Sequence, residues 1–143
     1  TRFVIAVAPD LDPANVTRLF RAPPVPSSSR IVLLQEAVGD CLVPNITTDI
    51  LARAFGIPLI TPGAATPFGL STATSPSTES AMVQYAITPS LARYTPPLSN
   101  TVPVMDNNVH SDLVFLPNAE RQVVTFLESG RIEQSCTGSC DPD

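Results

Sequence analysis

Apolar positions fall into short runs separated by long stretches of Pro, Ser and Thr. Residues 2–8 are one such run, too short for its periodicity to separate a buried strand from the end of a buried helix. Asp12-Pro13 predicts a helix start, with Val16, Leu19 and Phe20 on one face. Residues 22–29 read as a connection. Ile31-Val32-Leu33-Leu34 is apolar on both faces, as expected of a strand inside a parallel sheet covered by helices. The following Gln35 to Asp40 reads as a polar turn at its carboxyl end. Pro44-Asn45 then predicts a helix over 45–55, with Asn45 as N-cap and Ile46, Ile50, Leu51, Ala54 and Phe55 as the buried stripe. Gly56 fits the position after its end, and Pro58 prevents continuation. Strand, loop and helix in this order are half of a βαβ unit, which predicts an α/β fold.

Residues 61–80 are almost all Thr, Pro, Gly, Ala and Ser, and read as a long surface loop. Residues 81–87 predict a strand with Ala81, Val83, Tyr85 and Ile87 on one face. This strand and the one at 31–36 are expected to be parallel neighbours, joined by a right-handed crossover through the helix at 45–55. A second Pro-rich loop runs from Pro89 to about Asn108. Asn118 predicts the cap of a last helix with Ala119, Val123, Phe126 and Leu127 as its core face and Gly130 as its stop.

At 143 residues the chain fits one small domain or a piece of a larger one. Its basic residues are eight scattered Arg against a net charge of −5, so no basic patch exists to neutralise a phosphate backbone. No apolar run approaches the ~20 residues that span a bilayer. The 16 Pro agree with abundant irregular structure. Residues 131–143 form a polar tail in which Cys136 and Cys140 flank Thr-Gly-Ser, a turn that suits a disulfide and an exported protein. Thr1 leads at once into the apolar run at 2–8, which suggests a fragment or a processed product.

In open α/β sheets, reacting groups gather beyond the carboxyl ends of the strands. Asp40 and His110 are the polar residues that fall there. An Asp that orients a His, with the His as proton shuttle, is the back half of a catalytic triad. The order acid then base is that of the Ser, Asp, His sequence in α/β-hydrolases. Taken singly, Gly39-Asp40 is ordinary turn chemistry and His110 an ordinary loop residue; it is their joint placement that points to a site. Asp10, Asp12, Asp106 and Asp112 are competing acids, of which Asp12 is explained by capping and the last two lie close in sequence to His110. Asp106-Asn107-Asn108 falls far short of a calcium shell. The cysteines and the one His lack zinc spacing, and there is no phosphate loop and no G-x-S-x-G. Asn15-Val16-Thr17 and Asn45-Ile46-Thr47 match the glycosylation pattern but sit in predicted helices.

Leu33 to Asn45, continuing through Thr48, Leu51-Ala52-Arg53-Ala54 and Gly56-Ile57-Pro58-Leu59, resembles the C-terminal part of bacterial extracellular lipase-like α/β-hydrolases. That family is the one whose N-terminal half is described as a virulence-factor lipase domain. Leu11-Asp12-Pro13-Ala14-Asn15 resembles the stretch before its acid-bearing strand. Gln122, Phe126-Leu127 and Ser129-Gly130-Arg131-Ile132 resemble its closing helix. His110 is followed by Ser111, where that family commonly has Gly.

The resemblance implies that residues 1–143 are the C-terminal segment of a single α/β-hydrolase domain, a parallel sheet with flanking helices and long Pro/Ser/Thr-rich loops. It implies Asp40 as triad acid and His110 as triad base of a secreted serine esterase or lipase. The nucleophilic Ser would lie upstream or on another chain, the partner being the N-terminal portion of the same hydrolase. The substrate would be a lipid or small ester, and no metal or organic cofactor would be needed. Two other readings stand beside it: a non-catalytic extracellular binding or structural module, and an N-terminal-nucleophile hydrolase using Thr1. The second sits poorly with a chain that has no Lys to tune the nucleophile.

Overall fold

The computed structural model describes residues 30–87 and 106–136. The expectations for residues 1–29, including the helix after Asp12, the acids Asp10 and Asp12, the Asn15 pattern and Thr1, lie outside them. So do most of the second Pro-rich loop and the Cys140 end of the tail. The described residues form a mixed α/β arrangement: a parallel four-stranded sheet and three helices. In chain order these are β1 (Leu33–Val38), α1 (Asn45–Phe55), β2 (Leu59–Thr61), β3 (Thr72–Thr74), β4 (Ala81–Ala86), α2 (Val109–Phe115) and α3 (Pro117–Ser129). The sheet order is β1-β4-β2-β3.

β1 and β4 are parallel neighbours in register from Leu33↔Ala81 to Val38↔Ala86. The strand period of two sends successive side chains to opposite faces. On one face Leu33, Ala81, Val83 and Tyr85 pack with Ile60, Ala119, Ile132 and Phe126. On the other, Leu34, Met82 and Leu59 pack with Ala52, Phe55 and Ile57. The sheet is therefore covered by α3 on one side and α1 on the other, which is why residues 31–34 and 81–83 have no polar face. Burying a Leu or Ile side chain here contributes on the order of 2 kcal/mol against water.

Several sequence expectations are corrected. β1 does not stop at Leu34 but continues through Gln35, Glu36, Ala37 and Val38. These polar side chains are tolerated because each finds a partner from another element. Gln35 Nε2 donates to Ala119 O and Gln122 Oε1, both at 2.9 Å, and Gln84 Nε2 donates to Glu36 Oε2 at 2.7 Å. Residues 61–80 are not one loop. They contain β3 and the end of β2, two short pairings at the sheet edge, and an antiparallel bridge from Ser77 to Ile132. Thr72 and Thr74 are β-branched and suit an edge strand exposed to water. The helix after β1 leads to β2, while β4 occupies the place between β1 and β2.

α1 spans 45–55, but its buried face differs from the predicted stripe. Ile46 and Ile50 are exposed, while Ala52 is completely buried. The row facing the sheet runs through Asn45, Asp49, Ala52 and Phe55, and its two polar members disguise it in a hydrophobic pattern. Asn45 is the first helical residue and makes no cap bond. The stop at Gly56 is as read: its φ is 66°, its amide donates to Arg53 O, and the Ile57 amide reaches Ala52 O. That paired closure ends a helix with a left-handed residue, for which Gly carries no Cβ penalty.

α3 begins at Pro117, with Leu116 rather than Asn118 at the cap. Ala119, Gln122 and Phe126 face the sheet, whereas Val123 and Leu127 are exposed. No helix among the described residues is long and apolar enough to cross a membrane.

Candidate functional site

The carboxyl ends of β1 and β4 carry a compact polar cluster. β1 ends at Val38 and the chain turns at Gly39, whose φ of 91° is a conformation that side chains disfavour. Asp40 follows, almost fully buried. Its Oδ1 accepts the amides of Leu42 at 2.7 Å and Val43 at 2.9 Å. These two bonds fix the carboxylate plane and leave Oδ2 facing across the sheet end. There it meets His110 Nδ1 at 2.7 Å, across 70 positions of sequence.

His110 is the second residue of α2, a short helix that the sequence pattern did not reveal. Its side chain is 45% exposed while that of Asp40 is 7% exposed, so the acid is enclosed and the imidazole opens to solvent. With Asp40 ionised, Nδ1 carries the proton and donates it, which leaves Nε2 as the acceptor of the neutral ring. The pair can therefore hold one tautomer, take a proton at Nε2 and stabilise the resulting cation.

The structure thus brings Asp40 and His110 together. Of the competing acids near His110, Asp106 Oδ1 accepts the Asn108 amide at 2.9 Å, and Asp112 lies in the first turn of α2, two residues beyond His110. Asn108 itself has φ 64°, the one non-glycine residue with positive φ among the described residues. Asn tolerates this conformation, and here it starts α2.

Cys41, next to Asp40, is a free thiol but buried. Burial raises its pKa, reinforced by the Asp40 and Asp106 carboxylates, so it stays protonated and is no ready nucleophile. The Cys136–Cys140 pairing reaches outside the described residues. No group of three or more His, Cys, Asp or Glu among the described residues is arranged to hold a metal ion.

The roles of three residues of this region escaped sequence reasoning. Glu36 lies two residues before the strand end, 3% exposed, with Oε1 lacking any hydrogen-bond partner. Burial pushes its carboxyl up to about 7, against the opposing hydrogen bond from Gln84, and nearby Asp49 adds to the rise. Asp49 is raised too, by its own burial and in spite of Arg53. Asn45 and Asn107 are the other two. Asn45 Oδ1 accepts the Gly39 amide at 2.8 Å and its Nδ2 donates to Ala37 O at 2.7 Å. Such an amide, bound on both sides, is not presented as a glycosylation acceptor. Asn107 Nδ2 donates to Gly39 O at 2.8 Å. No spacing rule gives either residue this role, because both side chains bind main-chain atoms.

Comparison with protein-family models, with curated proteins and with solved structures finds no match to this chain.

Proposed function

We propose that the chain supplies the acid and the base of a Ser-His-Asp triad in a serine ester hydrolase, an esterase or lipase of the α/β-hydrolase type. Asp40 orients His110, and His110 takes the proton of a Ser carried by the N-terminal portion of the same protein or by another chain. The observation that supports this most is the 2.7 Å contact between Asp40 Oδ2 and His110 Nδ1, beyond the carboxyl ends of two adjacent parallel strands. The resemblance of residues 33–59 to the extracellular lipase-like family points the same way, and with the tail cysteines favours a secreted protein. Exposed Leu42, Val43 and Ile46 beside the acid, and Val114 one turn beyond His110, give the surroundings an apolar character suited to an acyl substrate or to the rest of the enzyme.

The test is turnover of short-chain nitrophenyl esters by the full gene product. His110→Ala removes nearly all activity while the fold survives. Asp40→Asn lowers kcat by several orders of magnitude, the equivalent change in a serine protease costing ~10⁴. A fully active His110→Ala enzyme overturns the triad. Serine-reagent-sensitive turnover by the 143 residues alone overturns the need for an outside nucleophile.

A further inference from the structure

We infer that Asn107 is a positioning residue for the Asp40–His110 pair, acting with Asn45 as a clamp on the Gly39 peptide. The inference rests on the reading of that pair as an acid and base. Both polar groups of Gly39 are taken by asparagine side chains from different elements: its N–H by Asn45 of α1, its C=O by Asn107 just ahead of α2. Gly39 directly precedes the acid, and Asn107 stands three residues before the base. Asn107 is 1% exposed, so its hydrogen bonds are shielded from competing water. Its Oδ1 accepts the Val109 amide at 3.3 Å, at the first residue of α2, and its main chain forms a hydrogen bond with Cys41. Asn107 therefore grips the residues on both sides of Asp40 and the start of the helix that bears His110.

This places the two partners independently of their own contact. A carboxylate held by the Leu42 and Val43 amides is oriented within its turn, but those bonds say nothing about where α2 lies. The Asn107–Gly39 bond does. It fixes α2 against the acid turn, so the imidazole meets Oδ2 without having to search for it. Preorganisation of this kind matters because a displacement of about 1 Å at a reacting group can cost ~10²-fold in rate.

His110 is the single histidine of these 143 residues, and in the labelled full-length protein its ring nitrogens are the ¹⁵N signals that His110→Gln removes. The wild type is expected to show the Nδ1–H tautomer, and Asp40→Asn to lose it. Asn107→Asp keeps an oxygen for the Val109 amide but turns an acceptor toward Gly39 O. Asn107→Ser also keeps an acceptor near the helix start, adds no charge and is too short to reach Gly39. Both are expected to shift the tautomer ratio about tenfold toward Nε2–H, the order of one charge-assisted hydrogen bond, with the amide spectrum of the sheet retained. A residue that merely caps α2 would leave the ratio unmoved in both variants, and that result overturns the clamp while the acid–base pair stands. A wild type with no Nδ1–H preference, unchanged by Asp40→Asn, overturns the pair itself. In the wild type the Asn107 side-chain proton donated to Gly39 exchanges slowly with solvent; fast exchange there overturns the clamp without any variant.

Discussion

Glu36→Gln replaces a buried carboxyl by its neutral isostere, and its effect on stability depends on pH in a way the structure specifies. The Glu36 pKa rises from 4.5 in the unfolded chain to about 7 in the fold, chiefly through burial. A raised acid binds more protons folded than unfolded, so its contribution is full below pH 4.5 and lost as pH rises through 7. At roughly 1.4 kcal/mol per pH unit, the wild type forfeits about 3 kcal/mol across that window. The substituted amide cannot ionise and keeps an acceptor for Gln84. Urea unfolding followed by circular dichroism, at about pH 4 and about pH 8, measures both proteins. The variant should be more stable than the wild type by about 3 kcal/mol at the higher pH and nearly equal at the lower, with an unchanged denaturant slope. Carboxylates remote from Glu36 titrate alike in both proteins and cancel in the comparison. A difference that is the same at both pH values, or a variant less stable at pH 8, refutes the claim that the fold holds Glu36 protonated.

Three further outcomes are expected. Asn108 occupies left-handed backbone, so Asn108→Gly should leave thermal unfolding almost unchanged while Asn108→Val costs about 2 kcal/mol. Gln122 accepts from Gln35 and Tyr85 and donates to Glu133 O; Gln122→Leu strands these buried groups and should cost about 3 kcal/mol by calorimetry or urea. Thiol titration of the denatured, non-reduced chain should find one reactive Cys, with peptide mapping placing it at Cys41; three reactive thiols would remove the tail disulfide.

Local chemistry made much of this protein readable from its residues. The doubly apolar run at 31–34 needs cover on both faces, and a parallel sheet between helices provides it. Gly56 and Gly130 end their helices because only a residue without Cβ takes that backbone freely. Asp40 and His110 stood out because polar side chains beyond strand ends are where sheets of this kind expose chemistry. What the chain concealed was everything decided by a distant partner. Gln35 and Glu36 look like a turn until Gln122 and Gln84 arrive from 87 and 48 residues away to satisfy them inside a strand. The buried face of α1 carries Asn45 and Asp49, so hydrophobic periodicity points to Ile46 and Ile50, which the fold leaves exposed. β2 and β3 have three residues each, too few for a period, and exist as strands only because the sheet edge offers them hydrogen bonds. The orientation of the Asp40–His110 pair depends on main-chain atoms of Gly39, Leu42 and Val43. Those atoms are the same in every residue, and only tertiary structure determines which side chains they meet.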